Sequence, residues 1–89
     1  MKKYVSQYID YLKIEKRQSL HTLTAYRHDI NRFAKYLSSY PIDNANVSDV
    51  RSFLVLLRNE GLAPSSVARC LSSLKSFYEF LLIEGLILE

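Results

Sequence analysis

Ser19–Ile30, SLHTLTAYRHDI, and Ser65–Leu81, SSVARCLSSLKSFYEFL, decide how this chain folds. Each reads as a helix with one apolar stripe and an opposite face of small hydroxyl and basic residues. At about 100° per residue, the first stretch and its continuation place Leu23, Tyr26, Ile30, Phe33, Ala34 and Leu37 on one side. His21, Thr24, His28, Asn31, Arg32 and Lys35 fall opposite, with Arg27 at the edge. In the second stretch Val67, Leu71, Leu74, Tyr78 and Leu81 form the stripe, flanked by Cys70, Phe77 and Leu82. Ser65, Arg69, Ser72 and Ser76 lie opposite, with Ala68 and Ser73 beside them. A helix so patterned packs on one side and is free to lie against phosphates on the other.

The rest of the chain reads outward from these two. Ser19 is a good N-cap, and the helix it starts is expected to end near Ser39, before the turn-favouring Tyr40-Pro41. Upstream, Tyr4, Val5, Tyr8, Ile9 and Leu12 recur at helical spacing, predicting an amphipathic helix from about Lys2 to Lys16. Lys13, Lys16 and Arg17 sit near its end, where cations suit the helix dipole. Pro41 to Asn46 reads as a loop. A third helix is expected from Ser48, and its run of Val50, Phe53, Leu54, Leu56 and Leu57 is apolar almost all round, which predicts the most buried helix. Gly61 suits the position just past its end. Pro64 suits the first turn of the fourth helix, with Ser65 or Ser66 helping to start it, and Gly85 closes it. The expected fold is therefore all-α, an orthogonal bundle of four helices with room for a short fifth turn at the end.

Bulk properties agree. A chain of 89 residues, 48% hydrophobic, makes one small domain, and two Gly and two Pro favour long helices over many strands. Charge is unevenly spread. Residues 1–40 carry eight Lys or Arg against three acids, and residues 41–89 carry four against six. A basic N-terminal half suits a polyanionic partner, although a merely solvated surface reads the same way. Cys70 is the only cysteine, so no disulfide framework or zinc set exists, and a reduced, cytoplasmic compartment fits. The N-terminus alternates polar and apolar residues, reading neither as a signal peptide nor as a membrane span.

Catalytic motifs are scarce. There is no Gly-rich phosphate loop and no HExxH. His21 and His28 share a helix face but stand about 10 Å apart along the axis, too far to share a metal ion. Asp29 reads as a structural or pairing residue rather than a catalytic acid, and Tyr26 and Tyr78 read as core.

The ordered series S-x-x-T-x-x-x-Y-x-x-D-I, then V-S-D-V-x-x-F-L, then G-L-A-P-S-S-V-A-R-x-L-S-S-L-K-x-F-Y-x-F-L, after an aromatic-rich first helix, resembles the N-terminal, SAM-like core-binding domain of the tyrosine recombinase (phage integrase) family. The likeness runs from about Val5 to Ile87 and is strongest to the Xer-type recombinases, whose clamping domain begins the chain. The resemblance implies a core-binding domain over residues 1–87, with Leu88-Glu89 reading as a tag scar. It implies a catalytic domain beyond Glu89, holding the nucleophilic tyrosine and its arginines, so that this chain alone has no strand-transfer activity. It further implies a C-shaped clamp on double-stranded DNA, with the second and fourth helices crossing the major groove, and contacts with other recombinase protomers in a tetrameric synapse. No metal or nucleotide cofactor and no membrane are implied.

Carried onto this sequence, the resemblance nominates Thr22, Thr24, Arg27, His28 and Lys35 on the second helix. On the fourth it nominates Ser65, Ser66, Arg69, Ser72, Ser73 and Lys75. Arg69 has the strongest physical case: it stands among small residues that permit close approach, and a guanidinium can fork onto guanine or clamp a phosphate. Thr22 also suits support of the N-cap, and Lys75 also suits lying along the surface. With three to five phosphate contacts, the log–log salt slope of binding is expected to be roughly −3 to −5. The rival reading is a helical protein–protein module whose basic surface is incidental. A helix-turn-helix regulator fits less well, because the polar faces recur on two long helices with no tight-turn pair between them.

Overall fold

The computed structural model describes residues 2–38 and 41–87. Four helices follow in order: α1 (Lys2–Ile14), α2 (Leu20–Leu37), α3 (Val47–Asn59) and α4 (Pro64–Ile83), with a single 3-10 turn, Ile42–Asn44, between α2 and α3. The expected all-α bundle is what forms, but among the described residues no fifth helical turn follows α4, and the 3-10 turn lies instead within the Pro41–Asn46 stretch read as a loop. The expected end of α2 at Ser39, the Tyr40-Pro41 step at Tyr40 and the Leu88-Glu89 tail lie outside the described residues.

The helix ends follow local chemistry. Ser19 caps α2, its Oγ accepting from the Thr22 amide at 3.2 Å. Asn46 and Asp49 form a reciprocal capping box, so α3 begins at Val47, one residue before the sequence reading placed it. Gly61 and Gly85 take φ +90° and +70° just past α3 and α4. There the Leu62 and Leu86 amides reach back to the Leu57 and Leu81 carbonyls, the pattern of a left-handed C-terminal cap. Pro64 occupies the first turn of α4, but the N-cap is Ala63 with no side-chain hydrogen bond, so neither Ser65 nor Ser66 caps. α1 stops at Ile14, two residues early, and the chain turns out through Arg17 at φ +51°.

α4 is the spine of the bundle, packed against α1, α2 and α3, while α1 also packs on α2. Its buried residues are Cys70, Ser73, Leu74, Phe77, Phe80 and Leu81. The stripe is thus rotated from the expected Val67–Leu71–Tyr78 line toward Ser73 and Phe80, and Leu82 is exposed. The reason is that α1 and α2 both pack along this side of α4, in addition to the α3 side that its sequence stripe records. Against α1 it makes an aromatic seam: Tyr8 meets Phe77 edge-on at 5.3 Å and Phe80 at 5.7 Å, and Tyr11 meets Phe80 at 5.0 Å. The Tyr8 hydroxyl donates to Ser76 Oγ at 2.8 Å, and burial pushes its pKa up to about 12.

α3 is not the most buried helix. Only Phe53 and Leu57 are buried, whereas Val47, Val55 and Leu56 are exposed. α3 covers α4 on one side and nothing covers its outer side among the described residues, so an apolar run all round does not make it interior. The 3-10 turn plugs the core with fully buried Ile42, whose carbonyl accepts from the Tyr78 hydroxyl.

Candidate nucleic-acid interface

The α2–α4 seam differs in kind from the α1–α4 seam. Asp29, on α2, is fully buried, and both of its oxygens are engaged. Arg69 Nη2 donates to Oδ1 at 2.7 Å and Arg69 Nε to Oδ2 at 2.9 Å. Ser73 Oγ donates to Oδ2 at 3.1 Å, sharing its proton with the Cys70 carbonyl at 2.9 Å. The pairing role read for Asp29 from sequence thus has its partners, both across the seam on α4. Three donors satisfy the buried carboxylate, as a charge removed from water requires. Hydrogen bonding to Asp29, against a smaller opposing effect of burial, raises the Arg69 pKa above its ordinary value.

Arg69 itself is half in and half out, with 41% of its side chain exposed. A guanidinium carries five N–H donors. Asp29 occupies the side-on pair, Nε–H and one Nη2–H. The end-on pair, one N–H each from Nη1 and Nη2, stays whole and faces away from the carboxylate. Beside it on α2, Arg32 is half-buried and lies close enough to pull on the Cys70 thiol. Arg32 Nη2 stands 3.0 Å from His28 Nε2, so that nitrogen accepts and His28 carries its proton on Nδ1. Arg32 was placed on the polar face by sequence but not nominated. Its spacing of three residues from Asp29 and four from His28 is the signal that could have found it.

The nominated residues separate into groups. His28 and Arg69, with Arg32, gather at the seam. Thr24 and Lys35 are exposed further along α2, the Thr24 hydroxyl donating to the Leu20 carbonyl at 3.0 Å. Ser65 and Ser72 are exposed on α4, and Ser66 is half-buried. Thr22 is half-buried and takes part in the cap, its Oγ1 accepting from Ser19 Oγ at 3.0 Å. Arg27, two residues before Asp29, projects from nearly the opposite side of α2, away from α4. Lys75 is exposed on the α3 side of α4, beside a groove lined by Val47, Val50, Leu71 and Leu82. Ser73 is a correction: at 0% exposure, with its hydroxyl engaged by Asp29 and Cys70, it does not reach the surface.

Among the described residues no group of three or more His, Cys, Asp or Glu side chains is placed to hold a metal ion. Nor is any helix there long and apolar enough to cross a membrane. Cys70 is buried, and burial, followed by the negative charge of Asp29, pushes its thiol up to about 11.

Comparison with known proteins assigns the chain to a family. Residues 5–85 fit the phage integrase N-terminal SAM-like domain, and the chain belongs to that family. It is 44% identical over 85 residues to a tyrosine recombinase XerC of Oceanobacillus iheyensis, covering 92% of this chain and 28% of that protein. It is 41% identical over 85 residues to the XerC of Anoxybacillus flavithermus, with the same coverage. To the XerC of Listeria monocytogenes it is 39% identical over 90 residues, covering 98% of this chain and 30% of that protein. The chain thus spans under a third of the length of these relatives. No solved structure matches it.

Proposed function

We propose that this chain is the DNA-clamping domain of a Xer-type tyrosine recombinase, laying the polar sides of α2 and α4 against a DNA duplex. The observation that carries the reading is the seam itself. A buried acid holds Arg69 by one pair of donors and leaves the other pair unused on a side chain that is 41% exposed. Small residues stand before and after it along α4, and Arg32, bonded to His28, lies near the neighbouring Cys70. Family membership supports the same reading, since the relatives are named as tyrosine recombinases. In this reading the core-binding unit is residues 1–87, and recombination chemistry belongs to a catalytic domain elsewhere in the protein. This chain alone transfers no strands and needs no cofactor. The full protein works on cytoplasmic DNA with other recombinase protomers in a tetrameric synapse.

Because Asp29 neutralises Arg69, the long-range attraction for phosphate comes from Arg32 and Lys35, with Arg27 outlying. Affinity of the chain alone is therefore modest, with a salt slope of roughly −2 to −3, shallower than the sequence alone suggests. An NMR titration with a short duplex at two salt concentrations tests the reading. Shifts concentrated on Thr24, His28, Arg32, Ser65 and Arg69, and weakening with salt, are the expected result. Shifts absent at low salt, or confined to α1, refute it. A second reading, a protein-binding module, is favoured by one observation: Val47, Val55, Leu82 and Ile83 are all exposed on α3 and α4. Shifts confined to those residues on adding a partner recombinase, with none on adding DNA, would decide for it.

A further inference from the structure

We propose that Asp29 is a positioning residue for DNA recognition: buried beneath the α2–α4 seam, it holds the Arg69 guanidinium so that its end-on fork meets the duplex ready oriented. The inference rests on the DNA-clamp reading and adds to it a residue that never touches DNA.

The geometry separates orientation from charge. Asp29 is fully buried and takes two parallel hydrogen bonds from Arg69, at 2.7 and 2.9 Å. Two such bonds fix the guanidinium plane as well as its place, which one bond does not. Ser73, also fully buried, holds the carboxylate from the other side at 3.1 Å. The result is a relay from Ser73 to Asp29 to Arg69 that ends at the surface. An unsupported arginine loses rotamer freedom when it docks, and this one has lost much of it on folding. The electrostatic consequence runs the opposite way. Asp29 cancels the Arg69 charge, so by Coulomb attraction alone its presence weakens binding to a polyanion.

These opposed signs make the test decisive. Duplex binding by the 89-residue chain is followed by fluorescence anisotropy with a short labelled duplex of mixed sequence. The fold of each variant is checked by circular dichroism at the temperature of the assay. Asp29→Asn makes the protein more positive, so a simple strut between helices predicts unchanged or tighter binding by the folded variant. Positioning predicts weaker binding, by about tenfold, the value of one well-made forked contact. Arg69→Lys keeps the charge but cannot fork, and is expected to lose a similar factor. Adding Asp29→Asn to it is expected to cause no further loss, because the two act through one group. Ser73→Ala is the milder companion should Asp29→Asn fail to fold. Its hydroxyl cannot reach DNA, so a loss of about two- to threefold in affinity would travel through Asp29. Folded Asp29→Asn binding as tightly as the unmodified chain overturns the inference and leaves the clamp intact. So does an Asp29→Asn loss of the same size in the Arg69→Lys background. Failure of the unmodified chain to bind at low salt removes the clamp reading and this inference with it.

Discussion

Of the three seams that α4 makes, those with α1 and α2 are built on different physics. Against α1 it presents Phe77 and Phe80 to Tyr8 and Tyr11, a dry aromatic contact with one hydrogen bond, from Tyr8 to Ser76. Against α2 it presents Arg69 and Ser73 to Asp29, a polar contact that is buried at one end and wet at the other. The first removes apolar area from water and holds the bundle together. The second is a poor way to gain stability, since a buried carboxylate must first be desolvated. It holds a partly exposed arginine side chain by two hydrogen bonds, which an apolar seam cannot do. Recognition and stability thus occupy successive stretches along one side of α4, Arg69 and Ser73 in its first half and Phe77 and Phe80 nearer its end.

The contrast breaks most severely at Phe77, which is fully buried. Phe77→Ala should cost about 4 kcal/mol by urea denaturation, leaving a cavity against Tyr8. Whatever fraction remains folded should bind DNA normally. A loss below about 1 kcal/mol would show that the aromatic seam is not what holds the bundle.

The polar seam has its own asymmetry. Arg69→Ala leaves the fully buried Asp29 carboxylate with Ser73 alone and should cost about 3 kcal/mol. Asp29→Asn should cost less, because the Arg69 charge it strands is partly exposed to water. Equal costs in the same urea series would contradict the burial difference between the partners.

The smallest effect appears with alkali. Cys70, beside Asp29, has its pKa raised from the usual 9.0 to about 11 by burial. A raised pKa means the folded state keeps its proton while the unfolded chain releases it. The contribution is fully present below about pH 9 and is lost as pH climbs toward 11, to a total on the order of 2 kcal/mol. Tyr8 behaves likewise from its usual 10.0 to about 12. Cys70→Val should therefore move the onset of alkaline destabilisation from about pH 9 to about pH 10. An unchanged onset in urea midpoints measured across that range would place the titrating group elsewhere.

Much of this was readable before folding. Ser19, Gly61, Pro64 and Gly85 mark helix ends by backbone rules that need no neighbour, and each stands where those rules put it. The faces of α2 were also correct, with Leu23, Ile30 and Phe33 buried and Thr24, His28 and Lys35 exposed. Two readings failed for a shared reason. α3 was taken as interior from its apolar run, and Ser73 was taken as surface from its hydroxyl. Periodicity states which residues share a side; it does not state how many neighbours a helix has. α3 has too few to bury its stripe, and α4 has enough to enclose a serine.

The sequence by itself determined four helices, the Ser19 cap and the glycine ends of α3 and α4, a basic N-terminal half and family membership, because capping, periodicity and charge act over a few residues at a time. Only the tertiary structure decided that Asp29 lies under Arg69, forty residues later in the chain, with Ser73 completing its hydrogen bonds. A carboxylate withdrawn from water must find its donors wherever packing brings them, and no local pattern encodes that meeting.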